Sequence, residues 1–151
     1  ELPDKYALRC AKAKALAVSA KYPDAVVLAA DTVVACGRRI LPKAEDAETA
    51  RHCLTLLSGR RHRVYTAICV AHNNRHHTRL VMTQVRFSRL SAKDIDAYVA
   101  SSEWHGKAGG YGIQGKAEAF IPWVSGSYSN IVGLPLAETA AMLAQYKITG
   151  M

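Results

Sequence analysis

The sequence has 151 residues, 50% of them apolar, which is enough for a single domain that buries a core without disulfide or metal staples. No apolar run is long enough to cross a bilayer, and the first residues lack the charged-then-apolar pattern of a secretory leader. A soluble, cytoplasmic protein with no membrane partner is therefore expected. The formal net charge of +8 points to an anionic partner. Because Lys and Arg are dispersed and aromatic residues sparse, a stable nucleic-acid partner is not expected, and a basic nucleic-acid binder is the weaker alternative.

From Asp4, a good N-cap, residues Lys5–Lys21 read as an Ala-rich helix with Tyr6, Cys10, Ala13 and Ala17 along one stripe and Pro23 just beyond its end. Val26–Val34 is short, β-branched and apolar, which reads as a buried strand, and it carries Asp31 near its end. A carboxylate beside a core costs several kcal/mol unless it is paired, hydrogen-bonded or metal-bound, so Asp31 is either a functional group or a strand-end acid bonded to backbone amides. Gly37 marks a turn between two strands within Ala35–Lys43, and Pro42-Lys43 lifts a lysine onto a loop. Glu45 and Asp46 sit where a helix dipole favours acids. Ala47, Ala50, Leu54 and Leu57 follow at helical spacing, and Gly59 ends the helix.

Ser58-Gly59-Arg60-Arg61-His62-Arg63 is dense with donors, and it either grips phosphate or forms a solvated turn into the strand Val64–Ala71. Asn73-Asn74 signals a hairpin to a second strand, Thr78–Ser88, whose apolar face is Val81, Thr83, Val85 and Phe87. His72, His76 and His77 crowd this hairpin without a nearby carboxylate or Cys, and adjacent strand residues point to opposite faces, so metal ligation is not expected there. Ser91 and Asp94 form a capping box that opens a short helix through Ile95, Tyr98 and Val99. Gly106–Gly115 holds five glycines with Lys107 and Gln114, a composition that either lets backbone amides approach a ligand or only marks tight turns. Its spacing matches neither the Walker nor the dinucleotide-binding pattern. Phe120–Val124 reads as a strand, Ser125–Asn130 as a polar turn, and Leu134–Tyr146 as a final helix with Leu136, Ala140 and Leu143 inward. Cys10, Cys36, Cys53 and Cys69 lack Cys-x-x-Cys spacing and read as free thiols.

Taken in order, five segments resemble the Maf family of nucleoside triphosphate pyrophosphatases. They are Ala30-Asp31-Thr32-Val33-Val34; Pro42-Lys43; Leu57-Ser58-Gly59-Arg60 with His62, Val64 and Thr66; Lys107 to Gly115; and Gly126 to Leu136. The Gly112-Ile113-Gln114-Gly115 form is similar to the dTTP/UTP branch rather than the 7-methyl-GTP branch. The resemblance implies an α/β fold related to the inosine triphosphatases, with a long twisted mixed sheet flanked by helices around a central cleft, and often a homodimer. Family members open with a strand and a Ser-x-x-Arg loop that holds phosphates. The expectation here is one Maf-like domain over 1–151 without that strand and loop.

The same resemblance implies cleavage between the α and β phosphates of dTTP, UTP or modified pyrimidine nucleotides, giving the monophosphate and pyrophosphate. It assigns Asp31 the catalytic role, and a carboxylate there can either take a proton from water or hold a divalent metal that acidifies it. Magnesium or manganese fits, because oxygen ligands and phosphate favour hard cations. Lys43 and Lys107 would neutralise phosphate, with Ser58 and Arg60 as weaker candidates, and Thr32 and Gln114 would help choose the base. The alternative from the binding class is a module that holds the nucleotide without cleaving it.

Overall fold

The computed structural model describes residues 1–148. Its first helix, α1 (Pro3–Lys21), starts at Leu2 with Pro at the first helical position, and no side chain caps it. Asp4 bonds only the adjacent Lys5 N–H and lies inside the helix, two residues after the actual cap. The buried stripe is Ala7, Ala11 and Ala15, not the expected Tyr6, Cys10, Ala13 and Ala17. Methyl side chains at i, i+4 spacing let the helix axis lie close to a sheet, and the larger Tyr6 and Cys10 are left half-buried at its flank.

The sheet has five strands in the order β2-β1-β3-β4-β5. These are β1 (Val27–Cys36), β2 (Arg39–Leu41), β3 (Arg61–His72), β4 (Arg75–Arg86) and β5 (Trp123–Ser125). The α/β class holds, but every pairing among the described residues is antiparallel where a mixed sheet was expected. Tight turns cause this for β1–β2 and β3–β4, since a two-residue connection can only join antiparallel neighbours. At the second of these turns Asn73 and Asn74 both take positive φ, 50° and 62°, which matches the strand twist and lets the ladder run out to His72 and Arg75. Asp31 lies in the middle of β1, opposite Ala67 of β3, and not at a strand end.

Alternation divides β1 between the two faces of the sheet. Val27, Ala29 and Val33 pack with α1, whereas Ala30 and Val34 pack on the opposite face. That second face is covered by α2 (Ala47–Leu57), α3 (Ala92–Ala100), α4 (Tyr128–Val132) and α5 (Leu136–Ala144). Asp46 caps α2 by accepting from Thr49 N–H at 2.7 Å, and the Ser91–Asp94 capping box opens α3 as the sequence indicates.

The region after the glycine-rich loop departs from expectation. Lys116–Phe120 coils into a 3₁₀ helix that buries Ala117, so only Trp123 and Val124 of the expected Phe120–Val124 strand pair with β4, in a strand that runs on to Ser125. The expected polar turn Ser125–Asn130 gives way to α4, capped by Ser127, which accepts from Asn130 N–H at 3.1 Å. In α5 Thr139 and Met142 are buried and the expected Leu143 packs partly buried against the core, whereas Ala140 is exposed and Leu136 is 61% exposed. The four cysteines are free, and no helix among the described residues is long and apolar enough to cross a membrane.

Candidate active site

The open edge of β1 organises a cavity of about 600 Å³. β1 pairs with β2 only from Val34 onward, so over Val27–Val33 its second edge has no ladder partner among the described residues. Asp31 and Thr32 point to opposite faces, yet both line the same cavity, because the space wraps around that edge.

On the α1 side, Lys14 Nζ donates to Asp31 Oδ1 at 2.6 Å. The Asp31 side chain is 12% exposed and that of Lys14 53% exposed, so a nearly buried carboxylate faces a half-solvated ammonium. No hydrogen bond from the described residues reaches the second oxygen, Oδ2, which is left for water or a cation. On the other side, the Thr32 hydroxyl lies 2.8 Å from that of Thr66 on β3.

The facing wall is built by the glycine-rich loop, which is locked to the segment after β2. Gly109 N–H donates to Pro42 O at 3.0 Å, Ala44 N–H to Lys107 O at 3.1 Å, and Gly106 N–H to Ala44 O at 2.8 Å. Lys43 and Ala108 form the bridge between the two segments, so Lys43 and Lys107 reach the cavity from adjoining backbones. Gly109 takes φ +72°, and a Cβ there would sit 2.8 Å from Val34 Cγ1; only glycine permits that turn and that contact with β1. Tyr98 OH accepts from Gly112 N–H at 3.1 Å, and Tyr111 OH lies 2.6 Å from Nε2 of the buried His62. Just past these anchors Gln114 is exposed at the cavity rim.

Burial pushes the Tyr111 phenol above its ordinary range and holds the His62 imidazole down at about 4. Both groups stay neutral near pH 7, which suits a buried brace rather than a proton carrier. Within the cavity, Lys14, Lys43 and Lys107 outnumber the carboxylates Asp31 and Glu103, and Glu103 already accepts from Lys116 N–H at 3.0 Å. The walls therefore suit a polyanion, with one carboxylate left to act on water or a cation.

A family model described as Maf-like protein matches residues 1–146. The chain belongs to the Maf family. It is 62% identical over 145 residues to a protein of Rhodospirillum rubrum named dTTP/UTP pyrophosphatase, covering 95% of this chain and 69% of that relative. A Paramagnetospirillum magneticum protein of the same name is 62% identical over 144 residues, covering 95% of this chain and 76% of the relative. An Ehrlichia chaffeensis protein named nucleoside triphosphate pyrophosphatase is 51% identical over 147 residues, covering 97% and 77%.

In this Maf chain the cavity gathers Asp31, Thr32, Lys43, Lys107 and Gln114. Ser58 and Arg60 do not line it. Ser58 Oγ accepts from Leu90 N–H at 2.7 Å just past α2, and Arg60 is exposed with its backbone bonded to Leu57 and Phe87. Its neighbour Arg61 stacks on Trp123, with the guanidinium 4.7 Å from the ring centroid. Lys14 is the cavity residue that sequence reasoning missed; the signal was present as a helix cation able to face a buried strand carboxylate. Among the described residues no cluster of His, Cys, Asp and Glu forms a complete metal site. One free hard oxygen at Asp31 fits an ion whose remaining ligands come from phosphate and water, which is how magnesium is commonly held.

Proposed function

We propose that this chain hydrolyses dTTP or UTP, or related modified pyrimidine triphosphates, to the nucleoside monophosphate and pyrophosphate. The observation that carries the reading is one cavity in which Asp31, three lysines and the base-reading candidates Thr32 and Gln114 converge. The names of the close relatives support the same substrate class. Lys43 and Lys107, on paired backbone, suit the β and γ phosphates, whose charge would otherwise repel a nucleophile. Asp31 takes a proton from water as its oxygen bonds the α phosphorus; the bond from that phosphorus to the bridging oxygen breaks, and pyrophosphate leaves. Lys14 fixes the direction of Asp31 Oδ1 and leaves Oδ2 without a protein donor.

In the alternative role of Asp31, magnesium or manganese would be held by its free oxygen together with substrate oxygens, and would supply charge neutralisation and polarisation of phosphate or water. Thr32 and Gln114 meet the base. The test is a panel of nucleoside triphosphates with chromatography of the products. Monophosphate and pyrophosphate from dTTP and UTP, with purine triphosphates much slower, is the expected outcome. Equal rates on GTP, or release of single phosphate, would sink the proposal. Tight dTTP binding without turnover would instead favour a nucleotide-holding module.

A further inference from the structure

We infer that Thr66 is a positioning residue that turns Thr32 into a hydrogen-bond acceptor toward the cleft, so that the site prefers a pyrimidine bearing N3–H, the uracil or thymine lactam, over cytosine. This rests on the reading of the cavity as a pyrimidine triphosphate site, and it adds which hydrogen-bonding edge of the base is read and what fixes that choice.

The argument is a count of protons. Thr66 is 0% exposed, so water cannot supply it with a partner. Its hydroxyl has one hydrogen and two neighbours, the Asn130 carbonyl oxygen at 3.1 Å and Thr32 Oγ1 at 2.8 Å. A carbonyl can only accept. If Thr66 donates to Asn130, Thr32 donates to Thr66 and both contacts are hydrogen bonds. If Thr66 donated to Thr32, two oxygens would face each other at 3.1 Å with no hydrogen between them, in a site where an unmade bond is expensive.

The carbonyl is itself immobile. Asn130 is 0% exposed, and the two hydrogens of its Nδ2 are shared among Val64 O at 3.1 Å, Val81 O at 3.2 Å and Thr83 Oγ1 at 3.0 Å, tying α4 to β3 and β4. Thr83 Oγ1 in turn donates to Ser127 O at 2.8 Å. The polarity of the chain is thus set in the core and delivered to Thr32, which lines the cavity with only lone pairs to offer. Uracil and thymine present N3–H to such an oxygen; cytosine presents a lone pair at N3.

The experiment measures kcat/KM on UTP and on CTP for the parent, Thr66→Val and Thr66→Ser. The parent favours UTP. Thr66→Val keeps the shape but removes the acceptor, freeing the Thr32 hydrogen to serve cytosine, and the UTP:CTP ratio falls by about tenfold, the size of one hydrogen bond. Thr66→Ser restores the parent ratio. If Thr66→Val does not fold, Thr66→Ala gives the same reading. A parent with no preference, or a variant slowed equally on both substrates, overturns the inference. If the parent cleaves neither triphosphate, the pyrophosphatase reading fails by itself. The preference is then read from calorimetric binding of UMP and CMP, where equal affinities in the parent overturn the inference and tighter UMP binding that Thr66→Val equalises supports it.

Discussion

Replacing Asp31 by Asn separates its chemical role from its structural one, because the amide keeps nearly the same volume and still offers Lys14 an oxygen. The structure limits the stability cost. Asp31 is 12% exposed but Lys14 is 53% exposed, so much of the attraction is screened by water, and losing the charge while keeping the hydrogen bond should cost about 1 kcal/mol. The chemical cost is larger if Asp31 takes the proton from water: turnover should fall by about 10²- to 10⁴-fold. Thermal melting and steady-state rates on the same preparations read both. Lys14→Met adds a second axis. If Lys14 works by aiming the carboxylate, the double variant is no slower than Asp31→Asn alone, whereas independent contributions multiply. An Asp31→Asn protein that melts markedly lower yet turns over at the parent rate would refute the reasoning.

Gln114→Ala should narrow the preference for dTTP over other triphosphates by roughly 1–3 kcal/mol, measured as kcat/KM ratios; a uniform loss on all nucleotides would move Gln114 away from the base. Removing divalent cations with a chelator should abolish pyrophosphate release, and adding back magnesium or manganese should restore it; turnover unaffected by the chelator would take the cation out of the mechanism. His62 is buried with its imidazole held at about 4 against an ordinary 6.5, so between those values the unfolded chain binds a proton that the folded chain does not. Stability should therefore fall as pH drops from about 6.5 and level off below about 4, losing about 3 kcal/mol from this group, and denaturant titrations of His62→Gln should lack that slope. Gly109→Ala forces φ +72° on alanine and a methyl against Val34, and should lower stability by about 1–3 kcal/mol, read by thermal melting.

The parts of the fold legible in the sequence are those where one local signal decides the conformation. Asn73-Asn74 fixed a hairpin because its two positive φ angles suit few other residues, and Ser91 with Asp94 fixed a helix start because both reciprocal bonds form within one turn. Where several packings satisfy the local pattern, the sequence misleads. An Ala-rich helix such as α1 has little contrast around its axis, so the buried register is chosen by how closely it can approach β1 and β3, which only tertiary structure reveals. α4 spans five residues, too few for a helical period to show, and its Ser and Asn residues look like a turn until their side chains are seen capping it and bonding the sheet.

The site divides along the same line. Asp31 stands out as a carboxylate in an apolar strand, and Lys107 and Gln114 as polar side chains in a glycine-dense loop, whereas Thr32 and Lys43 are picked out by the family resemblance. Lys14 is an unremarkable residue in a helix rich in Lys, and nothing local separates it from Lys12. What separates them is the face of β1. Asp31 alternates with Ala29 and Val33, whose neighbours in the core are Ala7, Ala11 and Ala15 of α1. A carboxylate on that face must meet the helix, and burying it unpaired would cost several kcal/mol, so a cation from α1 has to reach it. Position 14 adjoins Ala15 of the buried stripe and makes the contact at 2.6 Å. The role of Thr66 escapes notice for the converse reason. A threonine in a strand is ordinary, and its role arises only because its single hydrogen is claimed by a carbonyl from α4, which leaves Thr32 no freedom in what it offers the cleft.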